Sequence, residues 1–356
     1  MGADCRDHCD LSDPHRGNAA YRRVLWAVLA INAVMFAVEV GAGLAADRRR
    51  CRQMPLIFSA SRYGTAPGRM SALGANRSRR TGGNDEQAYT KEHWFRPSQY
   101  QDRMVCNMGA SLYEPLNVYK LVAPNIGIVD GAFEYLTVGG AKLPLPFTTR
   151  MTVVRLSNGE LFLHSPIKFD VKLANDLLGL GAVRHLVSPN QFHYAHIGEW
   201  AKAFPNTVSW ASPRVRERAR ARHVDIDFTR DLEASPPEEW CREIDQTLFP
   251  GGYFKEFIFF HKASKTLILA DTIINIELNK VTEPWRTATK FTGMYHPYGQ
   301  IFFGMRLPLL LQRQKAEAAI RKIHSWQPQR ILLSHGRCFD ADADKVIRRI
   351  FGEPPR

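Results

Sequence analysis

The chain has 356 residues, enough for two ordinary domains or for one large domain with an appendage. Apolar residues make up 45% of it and charged residues 23%, which excludes a wholly disordered chain and a membrane protein with many spans. The formal net charge is +13, but nine arginines against one acidic residue between Asp47 and Asn84 supply +8 of this charge. The basic character of the chain therefore comes mainly from residues 47–84. Six cysteines without a C-x-x-C pair do not have the spacing of a disulfide framework.

The N-terminus divides into a polar tail, residues 1–23, and an apolar run from Val24 to Ala46. The run contains about the 20 apolar residues that a membrane-spanning helix needs, interrupted by Asn32 and Glu39. It therefore predicts one transmembrane helix. Two alternatives stay open: a signal peptide, whose apolar region is shorter and nearer the N-terminus, and a buried helix in which Glu39 finds a partner.

Residues 47–105 lack apolar periodicity and are rich in Arg, Ser and Gly as far as Asn84, which predicts a disordered linker. Arginines directly after an apolar helix favour a cytoplasmic location for the chain beyond that helix. The globular part is therefore predicted to be cytoplasmic, attached to the membrane through residues 24–46 or free of it. Little aromatic interleaving accompanies the arginines, so no nucleic-acid partner is expected.

The segment YRRVLWAVLAINAVMFAVEVGAGLAAD resembles the first transmembrane helix of cation diffusion facilitator transporters, including a short leader that carries Cys and His. The resemblance covers about the first 47 residues and implies a cytoplasmic N-terminus, the opposite of the orientation that the arginines favour. Nothing after Asp47 is apolar enough to be one of the later helices that hold the transported ion in that family. The segment is therefore interpreted as a remnant that still anchors the chain.

The folded domain is predicted to span residues 106–356 and to open with a β-hairpin. Met151–Leu156 and Glu160–Ser165 are β-rich runs, and the Asn-Gly pair between them is a strong hairpin signal. Alternating helix and strand patterns follow and predict the α/β class with layered sheets. These patterns are, in chain order, a helix over Phe169–Leu178, a strand over Val183–Val187, a helix over Ile197–Phe204, a second hairpin of Phe257–His261 and Thr266–Ala270, a helix over Leu307–Trp326, a strand over Arg330–Ser334 and a helix over Ala341–Phe351.

Polar side chains follow three of these strands at the point where each strand ends. Gln191, His193 and His196 follow the first strand, Asp271 follows the second hairpin, and His335 follows the last strand. Because ligand sites in α/β sheets gather at the carboxyl ends of strands, these side chains are expected to meet in one pocket. Imidazole and carboxylate ligands suit zinc, iron or manganese. Taken singly, each residue also has a structural explanation, as a helix cap, a loop hydrogen bond or a turn former.

The order and contexts of these residues resemble the metallo-β-lactamase superfamily, whose domain starts with a β-hairpin and carries an H-x-H-x-D-H loop. Here the loop reads Gln191-Phe192-His193-Tyr194-Ala195-His196, so two of its four family ligands are present. Leu269-Ala270-Asp271-Thr272 matches the bridging aspartate, and Ser334-His335-Gly336 matches the last histidine. The histidine expected before the second hairpin has no counterpart in Phe249-Pro250-Gly251-Gly252. Three family ligands are thus absent.

More narrowly, residues from about 108 to 340 are similar to an uncharacterised branch of that superfamily, a domain of unknown function. Arg150–Leu156, Leu163–Pro166, Ser188–Asn190 with His193, and Phe259–His261 carry this similarity. The resemblance implies an αββα sandwich. It also implies a metal-activated water that attacks an ester, amide, thioester or phosphodiester bond of a small-molecule substrate.

The ligands that remain fit at most one divalent ion, zinc or iron. The resemblance assigns His193, His196, Asp271 and His335 to the metal, with Gln191 and His164 as neighbours that support the ligands. His164 ends the second strand of the opening hairpin, where a structural histidine is the alternative. Two functions stay open, a mononuclear metal-dependent hydrolase and a metal-free scaffold or binding domain of the same fold. A remnant of a cation transporter is the third.

Overall fold

Two β-sheets form the centre of the computed structural model, which describes residues 110–138, 141–283 and 285–354. The strands of the first sheet are β1 (Tyr119–Ala123), β2 (Ile126–Val138), β3 (Ala141–Arg155), β4 (Glu160–His164), β5 (Ala182–Ser188), β6 (Val208–Ala211) and β7 (Arg230–Asp231). They lie in the sheet in the order of the sequence. β1 to β4 are antiparallel to one another, and β4 to β7 are parallel.

The second sheet is smaller and is built later in the chain. The strands beyond β7 are β8 (Ile244–Phe249), β9 (Glu256–His261), β10 (Thr266–Leu269), β11 (Ile273–Ile274), β12 (Gln300–Ile301) and β13 (Arg330–Leu333). The sheet has the order β13-β10-β9-β8, with β13 parallel to β10 and the other pairs antiparallel. β11 and β12 pair separately. The predicted second hairpin is β9 with β10, and it is confirmed.

Helices connect the parallel strands of the first sheet and follow the second sheet. They are α1 (Val171–Leu178), α2 (Ile197–Ala203), α3 (Val215–Ala221), α4 (Trp285–Thr292), α5 (Phe303–Leu311), α6 (Arg313–Ser325) and α7 (Ala343–Phe351). α1 begins where it does because the side chain of Asp170 accepts a hydrogen bond from the backbone N–H of Leu173. It buries Leu173, Ala174 and Leu177, which helical spacing places on one face.

Neighbouring side chains of a strand pack on opposite sides of each sheet, which gives four layers. In β4, Leu163 packs with residues of α1, α2 and α3, whereas the ring of Phe162 lies 5.4 Å from that of Phe259 in the second sheet. In β9, the next residue, Phe260, stacks on Trp326 at the end of α6. The layers are therefore helix, sheet, sheet and helix. The predicted α/β class with layered sheets is confirmed.

Two strands precede the predicted opening hairpin, inside the domain predicted to begin at residue 106. The opening hairpin of Met151–Leu156 and Glu160–Ser165 is present as the pair β3 and β4, but β1 and β2 precede it and β3 starts at Ala141. The expectation that this hairpin starts the domain is therefore wrong. In β2 two glycines and an aspartate interrupt the alternation of apolar residues, so the sequence lacks the usual strand signal there.

The single helix predicted over Leu307–Trp326 is two helices. α5 ends at Leu311 and α6 begins at Arg313, because Gln312 between them has a non-helical backbone with φ −114° and ψ 36°. Pro308 lies inside α5 and contributes no backbone N–H to it. The apolar spacing continues across the break, so periodicity alone does not reveal it.

The predictions for the polar tail (1–23), the transmembrane helix (24–46) and the disordered linker (47–105) fall outside the described residues. The resemblance to cation diffusion facilitators concerns the same part of the chain. Among the described residues, the longest helix is α6 with 13 residues, and none is long and apolar enough to cross a bilayer.

Candidate metal site

Three strand ends bring one aspartate and two histidines together. β10 and β13 are parallel with Leu269 opposite Leu333, and Asp271 and His335 each follow that pair by two residues. His193 comes from the loop after β5 of the first sheet. One ligand-capable atom of each of the three side chains lies within 4.8 Å of the other two. We call His193, Asp271 and His335 the candidate triad.

The carboxylate of Asp271 lies between the two imidazoles of the candidate triad. Its Oδ2 is 3.2 Å from Nε2 of His193, and its Oδ1 is 3.1 Å from Nε2 of His335. The two imidazole ring centroids are 5.2 Å apart. The three side chains are 10%, 16% and 11% exposed in chain order. Solvent therefore reaches the site, although most of each side chain is shielded from it.

The other nitrogen of each imidazole is held by the first sheet and its loops. Nδ1 of His335 lies 2.6 Å from the carbonyl oxygen of Thr148, and since a carbonyl only accepts, this nitrogen carries a proton. Nδ1 of His193 lies 2.5 Å from Oγ of Ser165. A neutral His335 thus points the lone pair of Nε2 at a carboxylate oxygen, an unfavourable pairing that a second proton or a cation relieves. Histidines that bind a metal through one ring nitrogen usually donate a hydrogen bond through the other, as His335 does to Thr148, so these residues fit a divalent ion.

The surroundings of Asp271 keep its carboxyl group ionised. Burial opposes ionisation, but when His193 and His335 carry that second proton, their charge and their N–H groups outweigh burial and hold the pKa of Asp271 well below its usual value. The side-chain amide of Asn190 also donates to Oδ2 of Asp271 at 2.7 Å. An anionic carboxylate between two imidazoles is a donor set that zinc and iron bind.

Glu256 supports the turn that carries Asp271, and it was not predicted from the sequence. Its buried carboxylate accepts hydrogen bonds from the backbone N–H groups of Ala270, Asp271 and Thr272 at 2.7, 2.7 and 3.0 Å. Burial, helped by the charge of Asp271, raises the pKa of Glu256 to about 7 despite these bonds. In the sequence, Glu256 is a lone carboxylate before an apolar run. This pattern is also typical of a strand boundary, so it does not indicate the supporting role.

Arg150 of β3 holds the loop that carries His335, and the sequence did not indicate this role. Its side chain is 4% exposed and donates to the carbonyl oxygens of Leu333 and Gly336 at 2.8 and 2.6 Å. Oδ1 of Asp130 lies 2.7 Å away and balances the charge. Burial alone would lower the pKa of Arg150, but Asp130 outweighs it and the net shift is upward.

The structure places His196 outside the candidate triad. Its Nε2 lies 2.9 Å from Oε1 of Glu134 in β2, and its Nδ1 lies 3.5 Å from Oε2 of Glu199. His196 occupies the N-cap position of α2, but its side chain makes no capping hydrogen bond. Gln191 of the same loop is buried, with 3% of its surface exposed. Three of the four predicted ligands therefore lie together, and the fourth is engaged by two glutamates.

His164 ends β4 and lies in the core between the two sheets. The residue is fully buried, and its ring packs edge-on against Phe259 with the centroids 5.5 Å apart. Burial lowers the pKa of its imidazole to about 3, and the charge of His193 contributes in the same direction. The imidazole is therefore neutral in the folded chain at neutral pH.

The neutral imidazole of His164 predicts stability that depends on pH. Its pKa is about 3 in the folded chain and 6.5 without the fold. Because the folded-state pKa is depressed, this contribution is complete above about pH 6.5 and is lost as the pH falls from there towards about 3. In His164→Phe, we expect the slope of unfolding free energy against pH in this window to decrease by up to about 1.4 kcal/mol per pH unit. Urea denaturation of both proteins from pH 4.5 to 7 (a range chosen to lie roughly inside the window) measures it, and equal slopes would contradict the expectation.

Comparisons with known proteins give a partial family match but no characterised relative. A family model described as a domain of unknown function, DUF4336, matches residues 142–290. The matched region contains His193 and Asp271 and ends before His335. No protein of curated function matches the chain.

The solved structures to which the chain is similar include metallo-β-lactamases. The metallo-β-lactamase from Hirschia baltica is 12% identical, with 66% of this chain and 97% of that chain covered and a TM-score of 0.42. FIM-1 from Pseudomonas aeruginosa in its mono-zinc form is 11% identical, with 66% and 94% covered and a TM-score of 0.44. Rubredoxin oxygen:oxidoreductase from Desulfovibrio gigas is 12% identical, with 66% and 61% covered and a TM-score of 0.46. Similarities of this size carry no argument about activity.

Proposed function

We propose that the chain is a mononuclear metal-dependent hydrolase with a metallo-β-lactamase-like fold, and that the candidate triad holds its zinc or iron ion. One observation carries this proposal. Both imidazoles bond outward through Nδ1, to Thr148 and Ser165, so that both Nε2 atoms face the carboxylate of Asp271. Two imidazoles and one carboxylate are the protein ligands of several catalytic zinc sites, in which water takes the fourth position.

The residues of the site have separate roles under this proposal. His193 and His335 would bind the ion through Nε2, and Asp271 would bind it through its carboxylate. When bound, the ion supplies Lewis acidity and lowers the pKa of a water ligand towards about 7. Asn190 and Glu256 keep Asp271 oriented, the first through its side chain and the second through the backbone.

The substrate class is inferred from the chemistry of the ion and not from a defined pocket. A bound ion would supply a water nucleophile suited to the carbonyl of an ester, amide or thioester or to the phosphorus of a phosphodiester, so we propose a small molecule with one of these bonds as the substrate. His196 is a ligand in this scheme only if it leaves Glu134, from which it is 2.9 Å away. The triad alone satisfies the proposal.

The metal content of the purified 356-residue chain tests the proposal. After growth with added zinc or iron, we expect about one equivalent of bound metal by elemental analysis. The His335→Ala variant should lose most of the bound metal, because the substitution removes one of three ligands. We expect this variant to remain folded. His324→Ala is the control, since His324 bonds to the carbonyl oxygen of Gly352 and is not in the candidate triad.

A wild-type chain without metal after supplementation would contradict the proposal and favour the metal-free binding or scaffold domain. Equal metal content in His335→Ala and wild type would show that the ion is bound elsewhere. Hydrolysis of chromogenic ester, thioester and phosphodiester substrates then tests the reaction. Activity should disappear with a chelator and return with the metal.

A further inference from the structure

Two buried histidines on neighbouring strands have contrasting surroundings. His164 of β4 is 0% exposed and His185 of β5 is 1% exposed. His185 is paired on both sides: Nε2 lies 3.3 Å from Oε2 of Glu160, and Nδ1 accepts from the indole N–H of Trp210 at 3.3 Å. Among the described residues, no side chain or neighbouring backbone group bonds to either nitrogen of His164.

This arrangement is unfavourable for the metal-free chain. A neutral imidazole buries one N–H donor and one acceptor nitrogen, and buried polar groups without partners oppose folding. The surroundings of His164 suit an apolar ring, because Phe162 on the same face of β4 also packs on Phe259. Packing alone therefore does not explain an imidazole at this position.

His164 is electrically and sequentially close to the candidate triad. The charge of His193 lowers the pKa of the His164 imidazole, and the charge of Asp271 raises it. The next residue, Ser165, places Oγ 2.5 Å from Nδ1 of His193 and has a left-handed backbone with φ 57°. Non-glycine residues in that region carry strain, which is commonly stored at functional sites. The end of β4 therefore contacts the candidate triad through Ser165, the residue next to His164.

We propose that His164 is a positioning residue of the metal site, whose unpaired imidazole hydrogen-bonds from the core between the sheets to the non-protein ligand of the ion. This inference rests on the proposed function, because the partner arrives only with the metal. His164 would then disfavour the metal-free fold and favour the loaded one. Metal binding and core stability are coupled through this single side chain.

Zinc affinity and thermal stability of His164→Phe test the proposal, with His185→Phe as the matched control. In the metal-free chain, we expect His164→Phe to raise Tm by about 2–4 °C, because it removes unpaired polar atoms. Competition with a chelating dye should show zinc affinity reduced by about 10- to 100-fold, the usual loss for a residue that supports metal ligands. His185→Phe should lower Tm, since Glu160 and Trp210 lose their partner, and keep wild-type zinc affinity.

Unchanged zinc affinity in His164→Phe would overturn the inference and leave the proposed function intact. Absence of zinc binding by the wild-type chain would instead overturn both. If His164→Phe does not fold, the comparison of His164→Gln with His164→Leu decides. Gln keeps a donor and an acceptor, so it should bind zinc more tightly than Leu, and equal affinities would overturn the inference.

Discussion

Replacing Asp271 by Asn is expected to reduce zinc affinity by more than about 100-fold, beyond the loss typical of residues that only support ligands. The reason is that Oδ1 and Oδ2 lie 3.1 and 3.2 Å from the Nε2 atoms of His335 and His193, so the carboxylate is the shared centre of the candidate triad. Asn has the same shape but lacks the negative charge. Competition titration of the purified chain with a zinc-binding dye measures the change.

Asp245→Asn is the matched control for this substitution. Asp245 is also a partly buried carboxylate, paired with Lys322 at 3.0 Å and with the indole N–H of Trp326 at 3.0 Å. It lies outside the candidate triad, so zinc affinity should not change. If Asp271→Asn and Asp245→Asn bind zinc equally tightly, the candidate triad does not hold the ion.

Replacing Arg150 by Met is expected to lower the free energy of unfolding by about 3–5 kcal/mol, the usual effect of breaking a buried ion pair. The guanidinium and Asp130 are each 4% exposed, and among the residues that the structure describes the substitution leaves Asp130 with Lys120 as its cationic partner, at 2.9 Å. It also removes the guanidinium hydrogen bonds to the carbonyl oxygens of Leu333 and Gly336. Because these carbonyls flank His335, zinc affinity should fall as well. Urea denaturation and zinc titration measure the two effects.

Arg155→Met provides the comparison in the same strand. The side chain of Arg155 is exposed and donates a hydrogen bond to the carbonyl oxygen of Leu180 at 2.7 Å, so its loss should cost about 1 kcal/mol or less. A cost for Arg150→Met no larger than for Arg155→Met would mean that the buried pair does not stabilise the loop of His335.

The candidate triad could be found from the sequence because each member is a polar residue just beyond an apolar strand. Asp271 and His335 follow β10 and β13, whose parallel pairing brings their ends to the same edge. Their partners could not be found in this way. Arg150 reaches Gly336 across 186 positions of the chain, and no local pattern indicates which loop a buried arginine will hold.

His196 matches the local motif of a metal ligand, but the structure pairs it with a glutamate instead. The loop places His193 and His196 three residues apart, and the family resemblance makes both of them ligands. The chain enters α2 at Ile197, and His196 at the start of that helix meets Glu134, 62 positions away in β2. β2 was not predicted, because glycines and an aspartate interrupt its apolar pattern. An unpredicted strand therefore supplied the competing partner.

X-ray absorption spectroscopy of the zinc-loaded 356-residue chain tests the central claim most directly. The account predicts a first shell of nitrogen and oxygen atoms at about 2.0–2.2 Å, with the outer-shell signature of two imidazoles and no sulfur. Sulfur at about 2.3 Å, the zinc–thiolate distance, would place the ion on cysteines such as Cys5 and Cys9. That result would contradict a site built from His193, Asp271 and His335.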